Sequence, residues 1–357
     1  MSVIAAVHGQ LAPHRYPQTE ITEAFAEVVS PTGEHRPLIE RIHRATGIQS
    51  RSLALPLAAY AGLSGFGEAN DAFIRVALDL GEASITGALQ EAGLKPEDVD
   101  LVMSTSVTGI ATPSLDALLI SRVGFREDIK RLPIFGLGCV AGAAGIARLH
   151  DYLVGHPDDV AVLLSVELCS LTVQRDDCSM PNVVASGLFG DGAAAVVMVG
   201  ANRAAAMGLT GPRVMASRSR LYPDTERTMG WDISERGFRV VLSAGVGDVV
   251  STYLGQDVDA FLAAQGRAMA EVTRWVCHPG GPRVLQAIET SLDLHGGELD
   301  VTWRSLAAIG NLSSASVLHV LRDTMHGCGM DMPESGTVGV LMAMGPGFCA
   351  ELVLVEW

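Results

Sequence analysis

Pro133-Ile-Phe-Gly-Leu-Gly-Cys139-Val-Ala-Gly-Ala-Ala-Gly-Ile-Ala147 decides the fold class. Residues 133–135 read as a strand, and Gly136 and Gly138 supply a turn that residues with a Cβ resist. A helix over 140–154 follows, made mostly of Ala, Gly, Ile and Leu. Side chains that small let backbones approach closely, so this helix is expected to lie buried between sheets. Upstream, 101–106 reads as a buried strand, and a helix is expected to open at Pro113 and run through Val123, since proline is harmless at the first helical position. Downstream, 160–166 is a third apolar strand and 193–199 a fourth. The βαβαβ alternation predicts an α/β protein with a parallel sheet covered on both faces.

The second half repeats the theme more loosely. It reads as an extended segment over 237–242, a helix over 249–270, a strand over 271–277 and a helix over 283–292. A strand-like run at 307–309 follows, then a helix from 313 to about 326 and strands around 338–343 and 349–355. The small, polar stretch 201–208 is expected as a seam between two duplicated halves, 1–200 and 201–357.

Hydrophobic residues make up 48% and charged residues 18% of the 357, which suits a large buried core and excludes a mainly disordered chain. The 25 Lys and Arg against 40 Asp and Glu leave a net charge of −15, which disfavours nucleic acid or an anionic membrane as partner. An anionic ligand therefore needs a local basic patch. Arg36, Arg41, Arg44 and Arg51, with Glu40 as the lone acid among them, form one. The six cysteines show no zinc-binding spacing, nothing near Met1 resembles a targeting segment, and no uncharged run is long enough to span a membrane, so a cytoplasmic protein is expected.

Three residues stand at turns that could carry chemistry. Cys139, at a glycine-rich turn into a helix, sits where unpaired N–H groups favour a thiolate. His278 follows the strand-like Arg274-Trp-Val-Cys277 and precedes Pro279-Gly-Gly-Pro282. Asn311 lies between the strand-like 307–309 and a helix start. All three are expected at strand ends, where sites of α/β proteins lie.

Cys, His and Asn in that order, together with Val107-Thr-Gly109 and Pro113-Ser-Leu-Asp116, Leu188-Phe-Gly-Asp-Gly192, His278-Pro-Gly-Gly-Pro282, Gly310-Asn-Leu-Ser-Ser314 and Gly345-Pro-Gly-Phe348, resemble the type III polyketide synthases of the thiolase-fold condensing enzymes. The resemblance covers nearly the whole chain. It implies an αβαβα subunit, built from two pseudo-duplicated halves and paired as a homodimer. Such an enzyme loads an acyl group from an acyl-CoA starter onto Cys139, extends it with malonyl-CoA by decarboxylative Claisen condensation, and cyclises the product to a pyrone, resorcinol or other phenol. His278 and Asn311 would stabilise the enolate, with no metal and no redox cofactor.

By the same resemblance Phe189 stands between the CoA tunnel and an inner cavity, Val240 takes the place of a second gatekeeper, and Cys169, Thr172, Trp231, Leu312 and Thr112 line the cavity. Arg44, Arg51 and Arg283 are the expected CoA contacts. The chain departs from the family at Val240, at Trp231 where a glycine is usual, and at Ala343-Met344. Two alternatives share the residue types: a ketoacyl synthase III-like enzyme making a single extension, and a non-catalytic thiolase-fold partner subunit, which the presence of Cys139 argues against.

Overall fold

The computed structural model describes every residue except Asp176 and Gly329. The N-terminal half runs β1 (Ser2–Leu11), β2 (His14–Pro17), α1 (Gln18–Val29), α2 (Arg36–Ala45), β3 (Ser50–Leu53), α3 (Leu57–Tyr60), α4 (Phe66–Glu91), β4 (Leu101–Thr105), α5 (Leu115–Val123), β5 (Lys130–Ile134), α6 (Ala141–Gly155), β6 (Val160–Leu168), α7 (Met180–Leu188) and β7 (Asp191–Gly200). After α8 (Ala201–Met207) come β8 (Arg213–Leu221), the hairpin β9 (Met229–Ser234) and β10 (Gly237–Leu242), α9 (Val246–Ala264), β11 (Val272–Cys277), α10 (Pro282–Leu292), α11 (Asp300–Ile309), α12 (Ser316–Met325), β12 (Val338–Gly345) and β13 (Cys349–Glu356).

Among the described residues, nine strands form one sheet in the order β11-β12-β13-β8-β1-β7-β6-β4-β5. The sheet is mixed, which corrects the expectation of a parallel one. β4 pairs parallel with β5 and β6, and β11 with β12, but β7 and β13 each return antiparallel beside the preceding strand. The two halves share a topology, since β1, β7, β6, β4 recur as β8, β13, β12, β11 in the same spatial order. They join where β1 meets β8 over Ser2 and Val3.

Three apolar clusters show the layering. One packs α4 and α5 against the outer face of the first half-sheet, through residues such as Phe73, Leu119 and Leu164. Another packs α9 and α10 outside the second, through Leu254, Leu285 and Val340. Between the half-sheets lie α6 and α12, with Ile146, Leu163, Val317 and Leu341 in one cluster. The order is therefore αβαβα. The small residues of α6 make this possible: a Cβ on Gly142 would lie 2.3 Å from Ser314 O, and one on Gly145 would lie 2.6 Å from Leu163 Cδ1.

Several boundaries move. The first of these helices starts at Leu115 with Ser114 as N-cap, leaving Pro113 outside it. The 201–208 seam is mostly a short helix, closed by Gly208 in the left-handed region. The long helix of the second half spans Val246–Ala264, ending before 270. Asn311 follows a helix, because 307–309 is the last turn of α11. Its buried residues Val301, Thr302, Ser305 and Leu306 follow the helical period, and Gly310 (φ 75°) ends it. The sequence reading left the first hundred residues without elements, and there lie β1, at the centre of the sheet, and the 26-residue α4.

Candidate active site

Cys139 stands in a tight 3-10 turn, Gly138–Val140, between β5 and α6. Gly138 is at φ 57°, and a Cβ there would lie 2.7 Å from the Pro346 ring. The Gly345-Pro346-Gly347 turn thus abuts the cysteine turn, which gives that motif a structural job at the site. The Cys139 thiol is buried and donates to Ser313 Oγ at 3.6 Å.

His278 follows β11 directly, its backbone N–H bonded to Met342 O at 2.9 Å. Its side chain is buried, and neither ring nitrogen has a partner among the described residues. A buried imidazole with two bare nitrogens is costly unless a ligand completes it.

Asn311 is held by its backbone against the segment after α7: its N–H donates to Leu188 O (3.0 Å) and its carbonyl accepts from Gly190 N (2.9 Å). The amide oxygen accepts from Ser313 N at 2.8 Å and, more weakly, from the Ser316 hydroxyl at 3.4 Å. Those donors assign the amide orientation, so Nδ2 and its two hydrogens are left for the cavity.

These three side chains converge on one cavity of about 350 Å³, whose walls are largely apolar, with Met180, Leu188, Leu242, Met342 and Met344 among them. Phe189 lines it, and so does Arg283 from the first turn of α10. Arg44 is exposed on α2 beside Ala45, which also lines the cavity.

Other expected residues stand elsewhere. Val240 and Trp231 pair across the β9–β10 hairpin, half-buried and outside this cavity, with the indole 5.9 Å from the Phe238 ring. Cys169 and Thr172 form a turn after β6, with the Thr172 hydroxyl donating to Cys169 O, and Thr112 lies exposed on the loop before α5. None of these three lines the cavity either.

Two residues contradict their expected roles. Arg51 is fully buried and bonds Gln18 Oε1, Ser186 O and Phe189 O, so its guanidinium cannot reach a coenzyme in solvent. Leu312 is fully buried in the cluster between the half-sheets, against Gly190 and Gly192, because the chain turns it away from the face that Asn311 presents. Ser313, held at φ 48°, reaches Cys139 in its place. Sequence reasoning passed over Ser313, and its place directly beyond Asn311-Leu312 was the available signal.

Electrostatics also differ from expectation. Burial pushes the Cys139 thiol up to about 12 and the His278 imidazole down to about 3, so both groups are neutral at neutral pH. The turn before α6 does not outweigh desolvation.

His43 and His319 are likewise depressed by burial to about 3. Below about pH 6.5 the unfolded chain takes up protons on these three histidines that the folded chain refuses. Depressed folded values mean stability present above 6.5 and lost as pH falls toward 3. Asp191, raised to about 6 by burial, and Glu167, also raised by burial, act in the opposite sense. The histidines, His150 with them, outnumber the raised carboxyls, so stability is expected to fall as pH drops from 7 to 5. Urea unfolding at pH 7, 6 and 5 checks this, and equal stability at all three would refute it.

Among the described residues no cluster of His, Cys, Asp or Glu could hold a metal ion, and no helix is long and apolar enough to cross a membrane.

Comparison with known proteins adds the following. Residues 18–209 match a family model described as FAE1/Type III polyketide synthase-like protein, and residues 213–356 match the C-terminal domain of chalcone and stilbene synthases. The chain is 56% identical over 354 residues to a 1,3,6,8-tetrahydroxynaphthalene synthase of Streptomyces peucetius subsp. caesius, covering 99% of this chain and 93% of the relative. It is 35% identical to a putative chalcone synthase of Bacillus subtilis, over 87% of this chain and 86% of that one. The crystal structure of a 1,3,6,8-tetrahydroxynaphthalene synthase from Streptomyces coelicolor A3(2) superposes with a TM-score of 0.92 at 31% identity, covering 99% of both chains.

Proposed function

The chain belongs to the chalcone and stilbene synthase family of type III polyketide synthases, and from that premise we propose that Cys139 carries the growing chain while His278 and Asn311 stabilise the enolate. The enzyme is an acyltransferase working by decarboxylative condensation of coenzyme A thioesters. The carrying observation is convergence: the thiol, a buried imidazole with both nitrogens bare, and an amide turned by Ser313 to present its N–H groups all face one apolar cavity.

In this reading Cys139 Sγ attacks the thioester carbonyl of the starter, His278 takes the thiol proton, and the coenzyme leaves as its thiol. Malonyl-CoA then loses CO₂. The electron pair of the broken C–C bond becomes an enolate, whose oxygen accepts from His278 N–H and Asn311 Nδ2–H. The enolate carbon attacks the Cys139 thioester, a new C–C bond forms, and the sulfur departs. Neutral donors in a water-poor cavity suit a developing anion because they need no reorganisation. Arg44 and Arg283 would meet the coenzyme's phosphates, and Phe189 would divide the coenzyme side of the cavity from the growing chain.

The product we propose is 1,3,6,8-tetrahydroxynaphthalene, on the 56% identity to a synthase of that compound. Its oxygens sit on alternating positions of a ten-carbon skeleton, the pattern of five two-carbon units, so malonyl-CoA can serve as starter and extender alike. By the family resemblance Trp231, in place of the usual glycine, would restrict a longer starter beyond this cavity, where it packs beside Phe238.

The same reading divides the chain into duplicated halves, 1–200 and 201–357. A cytoplasmic location is supported by all six cysteines being free, and a homodimer by the edge strand β5 with exposed Leu132 on it and exposed Phe135 directly after it.

Purified protein given malonyl-CoA alone is expected to yield the naphthalene, and Trp231→Gly to accept longer acyl-CoA starters, at less than the ~3–5 kcal/mol that truncating a fully buried aromatic costs. Mass spectrometry of products over a series of acyl-CoA lengths tests both. Product only when an acyl-CoA is added would overturn the naphthalene reading, and identical profiles for the two proteins would show that Trp231 sets no limit on starter length.

A further inference from the structure

Arg51 is the largest fully buried side chain of the protein. Its methylenes pack against Gly310, where a Cβ would lie 3.0 Å from Arg51 Cδ. Its guanidinium makes three hydrogen bonds, all to neutral acceptors: Nε to Gln18 Oε1 (2.9 Å), one terminal nitrogen to Ser186 O (2.8 Å), and the other to Phe189 O. Burial pulls its pKa down to about 10, which leaves it charged at neutral pH. A cation is expensive in such a place: its hydrogen bonds all go to neutral groups, and the buried Asp191 carboxylate favours its charge only from beyond hydrogen-bond distance.

The carbonyls it holds explain its position. Ser186 O is among the last carbonyls of α7, which lack helical partners and sit at the negative end of the helix dipole. Phe189 is extended, at φ −87° and ψ 134°, so its own carbonyl points to one side while the Leu188 carbonyl and the Gly190 N–H point to the other. That other side is Asn311, bonded to both. The single extended residue Phe189 therefore has a planar cation on one edge and the backbone of Asn311 on the opposite edge. Only a guanidinium reaches three acceptors in one plane; a lysine ammonium has no such fork.

We propose that Arg51 is a positioning residue for the condensation reaction, clamping the 186–189 carbonyls so that Asn311 and Phe189 hold their places at the cavity. The inference rests on the roles proposed above for Asn311 and the coenzyme arginines. Loss of the clamp lets the 188–190 segment and Asn311 shift together, displacing the amide donors from the enolate oxygen. The signature is a loss in kcat with KM kept, since the coenzyme contacts lie elsewhere.

The test measures CO₂ release from malonyl-CoA for wild type, Arg51→Lys, Arg51→Ala with and without methylguanidinium, and Arg44→Ala. Thermal melting is followed in parallel. We expect kcat in both Arg51 variants to fall about 10²-fold with KM within about threefold of wild type. Methylguanidinium should restore at least about tenfold to Arg51→Ala only, and Arg44→Ala should raise KM at near-normal kcat. A folded Arg51 variant with wild-type kcat, or one whose loss lies in KM, overturns the proposal.

Should both Arg51 variants fail to fold, Gln18→Leu carries the test. It removes one of the three acceptors together with the Gln18 Nε2–H bond to Gly187 O (2.9 Å) in the same segment, and a folded Gln18→Leu protein must lose kcat with KM kept, an unchanged kcat counting against the clamp. Absence of CO₂ release from wild type itself would instead overturn the functional reading, so the two failures are distinguishable.

Discussion

Cys139→Ala is expected to abolish polyketide formation completely while part of the malonyl-CoA decarboxylation survives. The two activities separate because they use different atoms. Carbon–carbon bond formation needs a thioester on Sγ as electrophile, and among the described residues no other thiol lines the cavity. Loss of CO₂ needs only that the enolate oxygen find donors, which are the His278 ring and Asn311 Nδ2. The substitution leaves those donors in place, since the one hydrogen bond of the Cys139 thiol goes to Ser313 and Asn311 is held by Leu188, Gly190 and Ser313. The fold should tolerate the change, a sulfur being a small volume to lose. Release of labelled CO₂ alongside product mass spectrometry separates the outcomes. Extended product from the variant would sink the nucleophile assignment, and complete loss of decarboxylation would show that the sulfur takes part in breaking malonyl-CoA as well.

The legibility of this site differs residue by residue, for physical reasons. Cys139 could be read because its turn is written in local chemistry: two glycines precede it, both at positive φ, and the small-residue helix after it has no explanation except burial between layers. Burial of a charge has no such local signature. Arg51 belongs by sequence to a basic cluster, yet it lies on β3 opposite Tyr16 and its side chain turns inward to carbonyls over a hundred residues away. The error at Leu312 arose from a face assignment, because Ser313 in the left-handed region changes which side chains meet the cavity. The parallel-sheet expectation failed at β7 and β13, which each return antiparallel beside the preceding strand, β7 then pairing with β1 from Gly200 opposite Ser2 to Gly192 opposite Leu11. Such pairing is set by tertiary packing and not by the pattern of either strand. The turn and helix end that favour a Cys139 thiolate are likewise local features, which burial outweighs.

Asn311→Asp is expected to lose more activity than Asn311→Ala, although aspartate is the closer match in shape. The Asn311 amide oxygen is already committed to Ser313 N and the Ser316 hydroxyl. An aspartate would put one oxygen there with those bonds intact, so stability should change little. Its second oxygen would then occupy the position of Nδ2, facing the cavity. Where the wild type offers N–H donors to a developing enolate, the variant would present a lone pair and a negative charge in surroundings too poor in water to screen it. Alanine only removes the donors, a loss of ~10²–10³ in rate by analogy with other oxyanion donors. Aspartate adds repulsion to that loss. Acid should partly rescue the aspartate variant, because protonation turns the second oxygen into a donor, and should leave the alanine variant unaffected. CO₂ release from malonyl-CoA measured across pH for the three proteins decides the matter. An aspartate variant more active than the alanine variant at neutral pH would mean that the Asn311 oxygen, as anchor for the Ser313 turn, matters more than its nitrogen, and the enolate would then have to rest on His278 alone.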